Sequence, residues 1–173
     1  MAYCLQTLAG ITLDCSQNMG GIKRCFIANW GDVEKITADT DKVTAITMRD
    51  GAKFKAYQFR RGTSSMTSEL TADETNGLNF VTTTLSLVFT KQETAKRVEM
   101  SALAISQLAV IVEDNNGIYW LLTKDDYASA SAGTAESGTA KTDRNAYTLT
   151  LSTENNTYPF EVDGEIIDEL VEA

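Results

Sequence analysis

General acid-base chemistry in this protein would have to use carboxylates, because its 173 residues include no histidine. The absence of histidine excludes the Ser-His-Asp and Cys-His arrangements of nucleophilic catalysis. Three acidic pairs remain as candidates: Asp39 with Asp41, Asp73 with Glu74, and Asp125 with Asp126. Each pair lies beside turn or loop residues, and solvated turns explain such pairs better than an active site does. The sequence predicts a protein that is not an enzyme.

Cysteine is the other residue type that could bind a metal, and it occurs at Cys4, Cys15 and Cys25. An odd number of cysteines argues against a disulfide framework, and a zinc site would lack its usual nitrogen donor. Reduced thiols packed in strands are the preferred interpretation and fit assembly in a cytoplasm, with a three-cysteine metal site as the alternative. Residues 19–23 lack the spacing of a phosphate-binding loop. We therefore expect no cofactor and no metal.

Lysine and arginine cluster once with aromatic residues, as Lys53, Lys55, Arg60 and Arg61 around Tyr57 and Phe59. Such a mixture of cations and rings is one way to bind nucleic acid. The preferred interpretation is a strand whose charges face solvent or the carboxylates of a neighbouring subunit. These four basic residues are therefore candidates for contacts between subunits.

The overall charge argues against binding of polyanions. The formal net charge is -9 and the pI is about 4.5, so the average surface repels phosphate. The length suits one domain, residues 1–173, with an N-terminal arm over residues 1–21. No secretory signal and no run of about eighteen apolar residues is visible, so we expect no association with a membrane.

Apolar residues recur with period two along most of the chain, which predicts a mainly β protein. Residues 22–30 form the first predicted strand, with one face made of Ile22, Arg24, Phe26, Ala28 and Trp30. Residues 43–48 and 54–59 flank the turn Arg49-Asp50-Gly51 and predict a hairpin. Residues 108–112 and 118–122 predict another hairpin around residues 114–117, which resemble a calcium loop only superficially.

A longer hairpin is predicted from residues 62–70 and 78–90, which flank the polar connection 71–77. In its second strand, Leu85, Leu87 and Phe89 share an apolar face. The opposite face carries mostly hydroxyl groups, from Thr82, Thr84 and Ser86.

One helix is predicted over residues 91–104, with Thr90 and Glu93 as a capping box and a core face of Ala95, Val98, Ala102 and Ile105. The small-residue segment 127–142 predicts a loop, because it lacks the large apolar side chains of a core. Residues 147–151 and 158–162 predict a last hairpin. The acidic tail, residues 163–173, is either a short helix or frayed.

This order of elements, with the segment Thr142-Asp143-Arg144-Asn145-Ala146-Tyr147-Thr148-Leu149-Thr150-Leu151, resembles the tail tube proteins of tailed bacteriophages over residues 22–162. The resemblance implies a β-sandwich or barrel with one flanking helix and long hairpin extensions. It further implies that six copies form a ring and that rings stack into a tube in the virion tail. The implied partners are further copies and other tail or neck proteins, after assembly in the host cytoplasm, while DNA passes through without specific binding.

The resemblance also assigns roles to particular residues. It implies that Thr82, Thr84 and Ser86 face the channel and that Asp73 and Glu74 lie near the rim or bore. The loop over residues 127–142 would become ordered against the next ring, and a flexible surface loop is the alternative. The implied contacts between subunits or rings come from the four basic residues above and from Ser129, Ser131, Thr134 and Ser137.

Two other functions compete with the tube. A head-to-tail connector or neck ring would share the fold and differ in its partners. A monomeric β-sandwich that binds a carbohydrate or a protein is suggested by Trp30, Tyr119 and Trp120, which this interpretation takes as exposed. Long polar hairpins favour assembly over a monomer, since they leave strand edges that natural monomers normally cover.

Overall fold

Residues 5–172, the part of the chain that this computed structural model describes, contain eleven β-strands, two α-helices and a short 3-10 helix at Trp30–Asp32. The strands are β1 (Ile22–Asn29), β2 (Val33–Ala38), β3 (Lys42–Met48), β4 (Lys55–Gln58), β5 (Ser65–Asp73), β6 (Leu78–Thr90), β7 (Leu108–Asp114), β8 (Tyr119–Leu121), β9 (Ser129–Glu136), β10 (Ala146–Asn155) and β11 (Phe160–Val162). The helices are α1 (Thr94–Ile105) and α2 (Gly164–Leu170). Strands account for 48% and helices for 13% of the residues, so the predicted fold class is confirmed.

The strands form two sheets that pack as a sandwich. The seven-stranded sheet has the order β2-β3-β11-β8-β7-β1-β4, and the four-stranded sheet has the order β5-β6-β10-β9. Neighbouring strands are antiparallel except for β11 and β3, which are parallel. The long predicted hairpin is confirmed as β5 and β6, and the hairpin around residues 114–117 is confirmed as β7 and β8.

Strand β1 is buried on both of its faces and therefore contributes to two cores. Cys25 and Ile27 point into the core between the sheets, whereas Phe26 and Ala28 point into a second core on the opposite face. A register shift between Ile22 and Arg24 turns the Ile22 side chain into the core between the sheets, where Cys25 also lies. The predicted grouping of Ile22 with Phe26 on one face is therefore wrong. Burial of Cys25 raises the pKa of its thiol.

The core between the sheets is aliphatic and draws on both sheets. The four-stranded sheet contributes Leu85 and Leu87 from β6 and Leu149 and Leu151 from β10, and the seven-stranded sheet contributes residues of β1 and β7. Alternate residues of β6 and β10 therefore face the core, as the period-two pattern of the sequence predicts.

The acidic C-terminal segment forms helix α2 instead of a frayed tail. Asp163 caps the helix by accepting a 3.1 Å hydrogen bond from the Glu165 N–H. Ile167 and Leu170 are buried in the second core. The Phe54 N–H also donates to the Leu170 carbonyl over 2.9 Å, so α2 is joined to the segment before β4.

Two predicted hairpins are wrong because other strands occupy the positions that they would need. Strand β3 pairs with β2 and β11, while β4 pairs with β1 at the opposite edge of the same sheet. The turn after β3 is present, with the Ala52 N–H donating to the Arg49 carbonyl over 2.9 Å, but it leads away from β3. Likewise β10 lies between β6 and β9, so β11 pairs in the other sheet.

Helix α1 is present, but its predicted cap and its predicted core face are both wrong. The helix begins at Thr94, and Asn145 accepts hydrogen bonds from the Lys91 and Gln92 N–H groups that precede it. Leu103 is buried and Met100 packs on the same core, whereas Ala95, Val98, Ala102 and Ile105 are exposed. Two contacts fix this rotation: the Lys96 ammonium donates to the Thr90 carbonyl over 2.6 Å, and the Tyr57 hydroxyl donates to Glu99.

The N-terminal arm contains no helix or strand within residues 5–20, and all of these residues are exposed. Cys15 is therefore exposed rather than packed in a strand as predicted, while Cys25 is buried in one. Cys4 lies outside the described residues.

A pair of leucines on the long hairpin tests the assignment of the core. We expect Leu85→Ala to lower the free energy of unfolding by about 2–5 kcal/mol, because Leu85 is fully buried. Leu70→Ala removes the same atoms from β5, where the side chain is 50% exposed, and we expect a loss of about 1 kcal/mol or less. Urea denaturation of both variants measures the difference, and equal losses would contradict the assignment.

Candidate assembly surface

The outer face of the four-stranded sheet carries mostly hydroxyl side chains in its middle. We call it the hydroxyl face. Strand pairing aligns its residues in rows across β5, β6 and β10, namely Glu69-Thr82-Glu154, Thr67-Thr84-Ser152 and Ser65-Ser86-Thr150. The predicted channel residues Thr82, Thr84 and Ser86 thus lie together on one face, each partly exposed, with Leu85 and Leu87 on the opposite face.

Positive charge is absent from all four strands of this sheet. The chain has 15 lysine and arginine residues, and none lies in β5, β6, β9 or β10. The same strands carry four carboxylates, those of Glu69, Asp73, Glu136 and Glu154. The four strands themselves therefore offer no ion-pair partner to a phosphate, and the nearest cations lie at their ends, where Arg144 pairs with Glu136 and Arg60 contacts Thr90.

The tip of the β5–β6 hairpin is held by Asp73. Its carboxylate accepts hydrogen bonds from the Thr75 N–H (2.9 Å), the Asn76 N–H (3.3 Å) and the Asn76 side-chain amide (2.6 Å). These bonds lower the pKa of Asp73, and the bond from the Asn76 side chain has the largest effect. The side chain of Asp73 is thus committed to the turn, whereas Glu74 is exposed at the tip.

The predicted loop over residues 127–142 is wrong for the part that forms β9. Small side chains suffice there because β9 is an edge strand that pairs through its backbone with β10. Ser129 and Thr134 lie opposite Ser152 and Thr148, and Ser131 occupies a bulge where its hydroxyl donates to the Thr150 carbonyl over 3.3 Å. Ser137 follows the strand in a connection that Asp143 closes by accepting from the Thr139 and Ala140 N–H groups, both at 2.7 Å.

The four basic candidates do not form one patch. Lys53 and Lys55 line a cavity of about 320 Å³ near the end of α1, and Lys55 also pairs with Glu172. Arg60 and Arg61 lie beyond the other end of β4, where the Arg60 Nε donates to the Thr90 hydroxyl over 3.3 Å. The aromatic rings of Tyr57 and Phe59 both pack on the core between the sheets. Burial raises the pKa of Tyr57, and the hydrogen bond to Glu99 adds to this effect. The basic residues therefore lie in two separate places, and neither aromatic ring is available to stack on a base.

The aromatic residues that suggested a ligand-binding module are not exposed. Trp30 and Tyr119 pack against the second core, and Trp120 packs against the core between the sheets. The Trp120 indole N–H also donates to Asp114 over 3.1 Å. These rings lie against different cores and do not form a common stacking platform.

The acidic pairs lie in turns, as the sequence predicts. Asp125 and Asp126 accept hydrogen bonds from nearby backbone N–H groups, those of Asn156 and Tyr127. Within residues 5–172, no group of three side chains of the metal-binding types is close enough to hold an ion. No helix in the same range is long and apolar enough to cross a membrane.

Comparisons of the chain with protein-family models, with curated proteins and with solved structures found no match.

Titration of Asp73 tests the structure of the hairpin tip. Because its pKa is lowered, the carboxylate holds the turn at and above the ordinary carboxyl pKa of 3.8 and releases it only as the pH falls through the lower value. We expect the NMR shifts of the Thr75 and Asn76 amides to titrate with a midpoint below 3.8. Asp73→Asn should abolish this titration and Glu74→Gln should leave it unchanged; a midpoint above 3.8 would contradict the turn.

Proposed function

We propose that this protein is a structural subunit of a bacteriophage tail tube, in which copies form rings that stack around a channel for DNA. The observation that carries the proposal is the hydroxyl face, a sheet surface of hydroxyls and carboxylates on strands without a single lysine or arginine. The proposal also uses the resemblance of residues 22–162 to tail tube proteins.

A channel for DNA needs a wall that does not hold DNA. Lysine and arginine bind phosphates by releasing counterions, and exposed aromatic rings stack on bases, so both would slow transit. Hydroxyls and carboxylates do neither. Phe80, near the hairpin tip, is the one aromatic residue on the outer face of these four strands, and its ring is partly buried.

The edges of the same sheet support assembly through strand pairing. Strands β5 and β9 each have one neighbour within the described residues, so each leaves one row of backbone groups unpaired. Natural edge strands are often protected by lysine, proline, a bulge or a covering helix. Neither lysine nor proline occurs in β5 or β9, although β9 has a bulge at Ser131 and contacts α1. Pairing of β5 in one copy with β9 in the next would continue the sheet without an edge.

The dimensions of such a closed sheet suit DNA. Six copies, the number that the resemblance implies, contribute four strands each at a spacing of about 4.8 Å, which gives a circumference on the order of 115 Å before strand tilt widens it. The backbone diameter is then roughly 40 Å. Side chains narrow this pore, and its remaining width still admits a duplex.

Electron microscopy and cysteine labelling together test this function. We expect purified protein to form rings or tubes with a central hole, and rings that never stack would indicate a connector ring instead. In a chain with Cys4→Ser and Cys15→Ser, we expect Thr84→Cys in tubes to react with a small maleimide but not with a maleimide coupled to a carrier protein. The unassembled protein is the control, because both reagents should reach Thr84→Cys there.

Two results would overturn the proposal. Monodisperse monomers at high concentration would exclude assembly. Equal reaction of Thr84→Cys with both reagents in assembled particles would put the hydroxyl face on the outside.

A further inference from the structure

The N-terminal arm exposes more large apolar side chains than any other segment of its length among the described residues. Within residues 5–17, which we call the arm from here on, four such side chains are between 84% and 102% exposed: Leu5, Leu8, Ile11 and Leu13. Single exposed apolar residues are ordinary on protein surfaces, but a contiguous group of this kind marks a contact surface.

The arm starts from a fixed root. The Met19 N–H donates to the Asn116 side chain over 2.8 Å, the Asn116 amide donates to Asn18 over 3.0 Å, and the Asn115 amide donates to the Gly20 carbonyl over 2.6 Å. Within the arm itself, the side-chain hydrogen bonds are those between Asp14 and Ser16. The turn at the end of β7 therefore anchors residues 18–20, while the arm contacts no other part of the described chain through a side-chain hydrogen bond.

Helix α1 carries a second apolar surface, which is exposed within the described part of the chain. Its outward residues Ala95, Val98, Ala102 and Ile105 are spaced three or four residues apart, so they form one stripe along the helix, which we call the α1 stripe. Val98 is 55% exposed and Ile105 is 89% exposed. Because the opposite side of α1 already packs on the core through Leu103, the helix is apolar on two sides, which is typical of a helix between two packing partners.

We infer that the arm of one copy docks on the α1 stripe of a second copy. The inference deepens the proposed function, since it names surfaces through which copies in a tube would meet. Both surfaces are apolar and lie on the same chain, so every copy presents both halves of the contact. Such a head-to-tail contact repeats from copy to copy without needing any other protein.

The reach of the arm allows contact with a second copy. At about 3.3 Å per extended residue, residues 5–17 reach on the order of 40 Å, whereas a chain of this length has a radius of gyration of about 16 Å, so the arm can extend beyond its own subunit. Two grooves that share Phe59 are lined by residues of the root and of the start of α1, and their lining mixes the cations Arg60, Arg61 and Lys96 with apolar Met19, Ile22 and Phe89. An arm that folded back along these grooves would cover the three cations, whereas docking on a second copy leaves them in solvent.

Cross-linking between two differently tagged variants tests the contact. Both full-length chains carry Cys4→Ser and Cys15→Ser; one adds Ile11→Cys in the arm and the other adds Val98→Cys in the α1 stripe. After mixing and assembly, we expect a short bismaleimide to link the two variants to each other. The matched control replaces Val98→Cys with Thr47→Cys, an exposed strand position on the other sheet, and should give at least roughly tenfold less product, the ratio that a lost contact of about 1.4 kcal/mol would give.

A chain that carries both Ile11→Cys and Val98→Cys separates docking within one copy from docking between copies. Linked multimers support the inference, whereas internally bridged monomers, or linking no better than the Thr47→Cys control, overturn it. Electron microscopy of the same samples keeps the two proposals apart. Tubes without specific cross-links would refute the arm contact alone, and specific cross-links in particles that are neither rings nor tubes would refute the tube alone.

Discussion

The structure depends on the burial of β1 and β7 on both faces, because a sheet whose central strands have two apolar faces needs a packing layer on each side. The four-stranded sheet covers one face, and α2 with its neighbours contributes to the cover of the other. The one charge buried in these two strands is that of Glu113 near the end of β7, which is 4% exposed. It pairs with Lys23 at 3.2 Å and with Arg24, and the hydrogen bond from Arg24 raises the pKa of that guanidinium. These partners offset the cost of removing a carboxylate from water.

Packing on β1 and β7 also determines which surface of the four-stranded sheet remains exposed. One face of the four-stranded sheet packs on the core and the other faces solvent, so the side chains of β6 from residue 81 to residue 87 alternate between buried and partly exposed; Thr83 is the one hydroxyl on the buried side. Threonine and serine are polar without charge, and threonine also favours the extended backbone. The solvent-facing side can therefore be polar through hydroxyls and a few carboxylates, such as those of Glu69 and Glu154, without lysine. Charge is concentrated instead on the seven-stranded sheet, the loops and the helices.

The sequence predicted local structure well and long-range pairing poorly. Alternation along residues 78–90 identified β6 and both of its faces, because a period of two depends only on neighbours in the chain. It could not show that β3 and β4 lie at opposite sides of one sheet, since any two strands with free edges satisfy the same pattern. The small residues of β9 concealed a strand whose stability comes from backbone pairing with β10. For the candidate surface, the sequence alone places Thr82, Thr84 and Ser86 on one face of β6. The residues of β5 and β10 that complete the rows can be identified only from the register of strand pairing.

The error on α1 is informative because the apolar stripe itself was identified correctly. Periodicity identifies an apolar face but not the partner that it meets, so the stripe of Val98 and Ile105 was assigned to the core of its own subunit. The polar contacts of Lys96 and Tyr57 instead turn Leu103 inward and leave the stripe in solvent. A sheet edge and an exposed apolar stripe need different partners, because the edge requires backbone hydrogen bonds in register and the stripe requires only apolar area. If both proposals hold, copies meet through two kinds of contact, the sheet edges and the arm. Hydrophobic burial weakens on cooling, so the arm contact should be more sensitive to low temperature than the pairing of strands.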